Sequence, residues 1–119
     1  MQANILELRN AKYIASCKGG DFMPVQINGL TFEGPYNIDG SFNAVAGVYV
    51  IYTSQKWLDV GETTDLGARI STHDRRPCWI RNTGGLRINL AFLAVNKEAD
   101  RLTLESKLRA NLNPTCGGK

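Results

Sequence analysis

The sequence predicts an α/β fold, and three observations indicate it. Residues 46–52 (AGVYVIY) are rich in β-branched and aromatic side chains, which is typical of a central strand. After a short polar loop, residues 57–60 (WLDV) continue as a second strand, and residues 86–95 alternate apolar positions into a third. Helical segments at residues 65–73 and 97–112 give a core order of β-β-α-(α)-β-α, in which Pro77 opens the short bracketed helix.

The first 44 residues are expected to form an N-terminal extension that packs on this core. A short helix is predicted within residues 1–20, ending at Gly19-Gly20. Asn28-Gly29 lies between two short apolar stretches and predicts a β-hairpin. The expected organisation is therefore an extension at residues 1–44, a core at 45–115 and a frayed tail at 116–119.

The flanking residues indicate where each core helix begins and ends. Thr63 or Thr64 can cap the first core helix, and Asn96 can cap the last. In the last helix, Leu104, Leu108 and Leu112 recur every four residues, and Leu102 is expected to join their apolar stripe. Asn113-Pro114 ends that helix.

Composition narrows the class of protein but does not identify it. The 119 residues suffice for one domain, and the net charge of +3 is a weak lean toward polyanionic partners. No stretch is apolar enough to predict a membrane span or a secretory signal, so a cytoplasmic protein without a membrane partner is expected. Cys17, Cys78 and Cys116 are odd in number and scattered, which predicts reduced thiols.

Four polar positions have both a structural and a functional interpretation. Tyr49 is either a packed strand residue or a site residue, and it shares a face with Asp59 only if the strand register allows it. Arg69 and His73 are four residues apart on one helix face, either solvated or directed at a site. Glu105 points at or beside the apolar stripe, where a carboxylate requires an arginine such as Arg69, or a metal ion.

The ordered set of these residues resembles the GIY-YIG nuclease family. Gly47-Val48-Tyr49 resembles the first motif of the family, and Asp59-Val60-Gly61 stands where the second is expected. Arg69 with His73, then Glu105, then Asn113 follow in the family's order, and the resemblance covers about residues 45–115. It implies a central three-stranded antiparallel sheet flanked by helices.

The resemblance also implies metal-assisted hydrolysis of nucleic-acid phosphodiester bonds, with DNA as the expected substrate. Glu105 would bind one Mg²⁺ or Mn²⁺. Tyr49 would position or activate the attacking water, with His73 able to accept a proton, while Arg69 holds the phosphate. Asn113 would keep the site assembled, or would only end its helix.

Two positions depart from the family pattern. Asp59 replaces the second tyrosine with a carboxylate, which can serve as a base or can be a strand-end residue without a role. Glu62 brings a second negative charge close to the site, which would repel a phosphate but favour a cation. A catalytically impaired, nucleic-acid-binding or regulatory module is therefore the alternative function, and a structural interaction protein is the third.

A basic segment follows His73 and is expected to bind the nucleic-acid backbone. It contains Arg75, Arg76 and Arg81, with Arg87 beyond them, and these arginines are otherwise explained as a solvated loop. Trp79 lies among them and would either stack on a base or pack against the sheet. The sequence leaves the oligomeric state open.

Overall fold

The computed structural model describes residues 24–117 and confirms the α/β class. The helix predicted near the start of the chain, and Cys17, lie outside the described residues. No helix within residues 24–117 has the length and apolar character that crossing a bilayer requires. In chain order the elements are β1 (Val25–Ile27), β2 (Leu30–Asn37), β3 (Gly47–Tyr52), β4 (Trp57–Thr63), α1 (Leu66–Ser71), α2 (Arg76–Arg81), β5 (Asn89–Ala94) and α3 (Glu98–Leu112).

The five strands form one antiparallel sheet in the order β1-β2-β5-β3-β4. The predicted hairpin is confirmed, since Asn28 and Gly29 take φ angles of 54° and 82° in the turn between β1 and β2. The expected sheet of three strands is wrong in size. An exposed β5 edge would leave backbone groups unpaired, and β2 satisfies them by pairing with β5 from Glu33 to Asn37.

The middle strand of the core, β3, is buried on both faces. Successive side chains of a strand point to opposite faces, so the strand serves two apolar layers. Tyr49 and Ile51 pack with the buried residues of α1 and α2. Val48 and Val50 pack with Leu108 of α3 on the other face.

A β-bulge at Leu58 determines the face on which each later β4 side chain lies. The pairing of β3 with β4 shifts by one residue next to the turn, which leaves Leu58 without an opposite residue. If the pairing of Tyr52 with Trp57 continued along β4 with no residue bulged, Asp59 would lie opposite Val50 and face α3. With the bulge, Asp59 lies opposite Ile51 and shares a face with Tyr49. The bulge thus answers the question of register that the sequence left open.

The short helices begin at residues close to those predicted. Asp65 caps α1 by accepting a 3.0 Å hydrogen bond from the backbone N–H of Ala68. The prediction of Thr63 or Thr64 as the cap is wrong, because the hydroxyl of Thr63 is bonded to the backbone of Asp65 instead. Pro77 lies in the first turn of α2, as predicted.

The long helix α3 packs on β3 and β4 through the expected stripe, with one exception. Leu108 is buried and Leu104 and Leu112 are half-buried. The side chain of Leu102 is 47% exposed, because two helical positions are about 200° apart around the axis and place it opposite Leu104. The N-cap is Lys97 rather than Asn96.

The segment after α3, residues 113–117, returns along β4. The backbone N–H groups of Thr115 and Cys116 donate to the carbonyls of Trp57 and Leu58 at 3.1 and 2.7 Å. Cys116 is buried and forms a disulfide with Cys78 of α2. The prediction of reduced thiols is therefore wrong for Cys78 and Cys116, and the prediction of a frayed tail is wrong at Cys116. The pairing escaped prediction because the two cysteines are 38 positions apart and meet only through this return of the chain.

Candidate active site

Tyr49 and His73 meet between the sheet and α1. The hydroxyl oxygen of Tyr49 lies 2.7 Å from Nε2 of His73, and the two residues are 1% and 3% exposed. The Tyr49 ring crosses Gly61 of β4 so closely that a Cβ there would lie within 3.0 Å of it. The guanidinium of Arg69 interacts with the Tyr49 hydroxyl and also with Asp74, 3.3 Å from Arg69 Nη1. Three of the predicted site residues are thus brought together.

The ring of His73 is neutral at pH 7. Burial, followed by the charges of Arg69 and Arg75, lowers its pKa from near 6.5 to about 4. Its Nδ1 accepts a 3.0 Å hydrogen bond from the backbone N–H of Arg75. Since a neutral imidazole carries one N–H, the proton lies on Nε2 and is donated to Tyr49. In this geometry His73 donates to Tyr49, whereas the sequence predicted that it could accept a proton there.

Asp59 is the most heavily hydrogen-bonded side chain of the cluster, and it is fully buried. Nε and Nη2 of Arg75 donate to its two oxygens at 2.7 and 3.3 Å. Trp79 Nε1 donates at 2.9 Å, Arg109 Nη2 at 2.6 Å and the backbone N–H of Val60 at 2.8 Å. These donors occupy both carboxylate oxygens, so in this structure no lone pair of Asp59 is left to take a proton or bind a metal ion.

Asp59 also joins the two sides of the sheet. Arg75 and Trp79 reach it from the start and middle of α2, on the face that carries Tyr49. Arg109 belongs to α3, which packs on the opposite face. Sequence reasoning missed Arg109, although its position four residues after Glu105 was a signal for an ion pair on one helix face.

Glu105 lies on α3 at the margin of this cluster. Its Oε2 is 3.8 Å from Nε of Arg109, and its side chain is 26% exposed. Burial is the main cause that raises the pKa of Glu105, and the negative charge of Glu62 adds to it, while Arg109 opposes it. Arg109 is therefore the arginine partner that the structural interpretation required, but its charge does not fully offset the cost of burying the Glu105 carboxylate.

Glu62 is held by a buried arginine. Nε of Arg101 donates to Glu62 at 2.8 Å, and Nη1 of Arg101 donates to the backbone carbonyls of Val95 and Asn96. Arg101 is 4% exposed, so this pair ties β4 to the start of α3. The negative charge of Glu62 near the site is thereby partly neutralised.

Asn113 ends α3 in the left-handed conformation, with φ of 50°, and its N–H is bonded to the carbonyl of Arg109. The residue is exposed, and its side-chain amide makes no hydrogen bond within residues 24–117. Asn113 therefore ends its helix, as one of the two interpretations predicted. Within residues 24–117 its side chain makes no contact that would hold the site together.

The predicted nucleic-acid contacts divide into buried and exposed residues. Trp79 is fully buried with its indole N–H on Asp59, so its ring offers no face for base stacking in this structure. The Arg75 side chain is 26% exposed and engaged with Asp59. Arg76 is half-buried, with its guanidinium over the ring of Trp79 and 3.7 Å from Asp39, and Arg81 is exposed. The most freely presented charge of this segment is therefore that of Arg81.

The site has a closed interior and a charged rim. Tyr49, Asp59 and His73 form the interior, and Arg69 of α1 is partly exposed beside them. Glu105 is also partly exposed, but it belongs to α3 on the opposite face of the sheet and reaches this interior only through Arg109. Within the described range, no three histidine, cysteine, aspartate or glutamate side chains are grouped closely enough to hold a metal ion.

Comparisons of the chain with models of protein families, with curated proteins and with solved structures find no match.

Proposed function

We propose that the chain is a GIY-YIG-like, divalent-metal-dependent endonuclease that hydrolyses phosphodiester bonds of nucleic acid, with DNA as the expected substrate. The observation that carries the proposal is the contact of Tyr49 with His73 and Arg69 on one face of the sheet. Glu105 is linked to the same cluster through Arg109 and Asp59. Under this proposal Tyr49, Arg69 and Glu105 would provide for water, phosphate and metal respectively.

Each side chain has a definite task under this proposal. Arg69 binds the scissile phosphate with its planar guanidinium. The Tyr49 hydroxyl already interacts with Nε2 of His73 and with the guanidinium of Arg69, and its hydroxyl hydrogen can be donated to a phosphate oxygen. Because Tyr49 is 1% exposed in the free chain, Arg69 must turn from the hydroxyl toward the phosphate before Tyr49 can accept a hydrogen bond from the attacking water.

Under this proposal a single Mg²⁺ or Mn²⁺ would be held by Glu105. Burial, with the nearby charge of Glu62, raises the pKa of this carboxylate, and a bound cation would favour its charged form. One carboxylate with water and phosphate oxygens is a normal ligand set for Mg²⁺. When bound, the ion would stabilise negative charge on the phosphate and the leaving oxygen.

The backbone of the nucleic acid would be bound beside this site, along α2. Arg76 and Arg81 present positive charge on α2, and Arg75 does so to the extent that its pair with Asp59 leaves donors free. Such contacts are independent of sequence and weaken as salt rises.

A second candidate, a nucleic-acid-binding or regulatory module without turnover, is favoured by one specific observation. The position of the family's second tyrosine is occupied by Asp59, whose oxygens are fully used by neighbouring donors. The site therefore lacks a second phenol, and the carboxylate cannot take its place without losing buried ion pairs.

The test is cleavage of supercoiled plasmid, short duplexes and RNA, with Mg²⁺ or Mn²⁺ and with chelator. We expect metal-dependent nicking of DNA that Glu105→Ala abolishes and that Glu98→Ala, an exposed position at the start of the same helix, leaves unchanged. Salt-sensitive binding without cleavage of any substrate would favour the second candidate. Neither binding nor cleavage would reject both.

A cytoplasmic location is part of the proposal, since a chain that acts on cellular DNA works there. Reducing conditions in that compartment disfavour a disulfide such as Cys78–Cys116. Non-reducing and reducing gels of the chain extracted under alkylation from its native cell decide between a cytoplasmic and an oxidising location.

A further inference from the structure

Two neighbours of His73 Nδ1 favour opposite protonation states of that nitrogen. The backbone N–H of Arg75 is 3.0 Å away and requires Nδ1 to be an acceptor. The carboxylate of Asp74 is 3.5 Å away and would favour a proton on Nδ1. Because the ring is neutral, the balance between these neighbours decides whether Nε2, which faces Tyr49, carries the proton and donates it to the hydroxyl.

Asp59 holds Arg75 in the position from which its backbone N–H donates to Nδ1 of His73. The Arg75 guanidinium donates two hydrogen bonds to the Asp59 carboxylate. Arg75 is also the N-cap residue of α2, and its side chain makes no capping hydrogen bond there. Asp59 in turn is fixed by Trp79 and Arg109, so it is a rigid anchor rather than a mobile surface partner. The contacts therefore run without a break from Asp59 to Arg75, to His73 and to Tyr49.

We propose that Asp59 is a positioning residue that acts through Arg75 to keep the proton of His73 on Nε2, which leaves the hydroxyl hydrogen of Tyr49 directed away from His73. In this arrangement Asp59 neither takes a proton nor binds metal. Asp59, which stands where the family has its second tyrosine, thus determines that the Tyr49 hydroxyl accepts a hydrogen bond from His73 rather than donating one to it.

The charges around the ring agree with this assignment. His73 is faced by Arg69 from α1, by Asp74 from the turn that follows, by Arg75 from the start of α2, and by Asp59 from β4. Burial and the two arginines lower the pKa of His73 to about 4, so at pH 7 the only freedom left to the ring is the choice of tautomer.

The significance for catalysis rests on the proposed function, but the inference is tested without substrate. His73 is the only histidine of the chain, so ¹⁵N NMR of the full-length protein contains one imidazole. We expect the Nε2–H tautomer in the unmodified chain, together with slow exchange of the Arg75 amide. In Asp59→Asn the ratio of Nε2–H to Nδ1–H should fall about fivefold, which corresponds to losing one hydrogen bond, and the Arg75 amide should exchange faster.

Two further variants keep the test decisive. Arg75→Ala retains the backbone N–H and leaves Asp59 bonded to Trp79 and Arg109, so it should fold and show the same change of tautomer even where Asp59→Asn does not fold. Glu62→Gln is the matched control, because it weakens the other carboxylate–arginine pair of β4, and it should leave His73 unchanged.

Three results would overturn the proposal: an Nδ1–H tautomer in the unmodified chain, an unchanged tautomer in a folded Asp59→Asn or Arg75→Ala chain, or an equal change in Glu62→Gln. A chain that shows the expected tautomers but cleaves nothing would refute the proposed function and leave this inference intact.

Discussion

Replacing Gly61 with alanine is a direct way to move Tyr49 without removing any polar group. A Cβ at this position would lie closer than 3.0 Å to the Cε1, Cζ and hydroxyl oxygen of Tyr49. Ordinary contacts between carbon atoms are about 3.5–4.0 Å, so the ring must shift by roughly 1 Å. Gly61 has no left-handed φ angle, so the effect of the substitution is steric and not a matter of backbone strain.

That shift is large compared with the tolerance of the Tyr49–His73 hydrogen bond. The bond is 2.7 Å long, and the imidazole cannot follow freely, because its ring centroid is 4.6 Å from that of Trp79. Insertion of a methyl group into a packed core costs about 1–3 kcal/mol, and loss of one hydrogen bond costs about 1 kcal/mol. We expect Gly61→Ala to lower the free energy of unfolding by about 2–4 kcal/mol and to abolish cleavage.

The assay combines urea denaturation with the ¹⁵N signal of the His73 imidazole. Gly47→Ala is the control, because its Cβ would meet Phe92 and the Leu93 carbonyl in the neighbouring strand without touching Tyr49. It should destabilise the chain and leave the Nε2–H of His73 bonded. A folded Gly61→Ala chain with unchanged stability and an unchanged His73 signal would refute the steric reasoning.

Two further predictions concern stability. Reduction of the disulfide, or replacement of Cys78 and Cys116 by alanine, should lower the free energy of unfolding by about 4 kcal/mol, the loop-closure value for a separation of 38 residues; urea midpoints that coincide with and without reductant would contradict this. Because the pKa of His73 is about 4 in the folded chain and near 6.5 when unfolded, the unfolded chain binds the extra proton between these values. The stability that neutral His73 contributes is thus complete above pH 6.5 and is lost as pH falls toward 4. Over that range the free energy of unfolding should fall by about 3 kcal/mol more in the unmodified chain than in His73→Gln. Parallel profiles of unfolding free energy against pH for the two chains would exclude this.

The elements that the sequence predicted well are those determined by local chemistry. Asn28-Gly29 dictates a tight hairpin turn because both residues accept positive φ, and Pro77 suits the first turn of a helix. The family order of Tyr49, Arg69 and His73 also led to residues that do lie together.

The features that escaped prediction depend on tertiary contacts. The shared face of Tyr49 and Asp59 results from one bulged residue, which no periodicity reveals. Trp79 is buried because Asp59 accepts its N–H, a contact across 20 positions. The entry of Arg109 into the cluster depends likewise on how α3 lies across the sheet.

The bulge at Leu58 lets the turn and the site keep different registers within one strand. At the turn Tyr52 pairs with Trp57, whereas beyond the bulge Ile51 pairs with Asp59 and Tyr49 with Gly61. If the register of the turn continued along β4 with no residue bulged, Val60 would lie opposite Tyr49 in place of Gly61, and Asp59 would face away from Arg75. Deletion of Leu58 would remove the bulge and leave the pairs of Asp59 and Gly61 unchanged. Homologous chains that keep the site should therefore either bulge one residue after the turn or lack that residue.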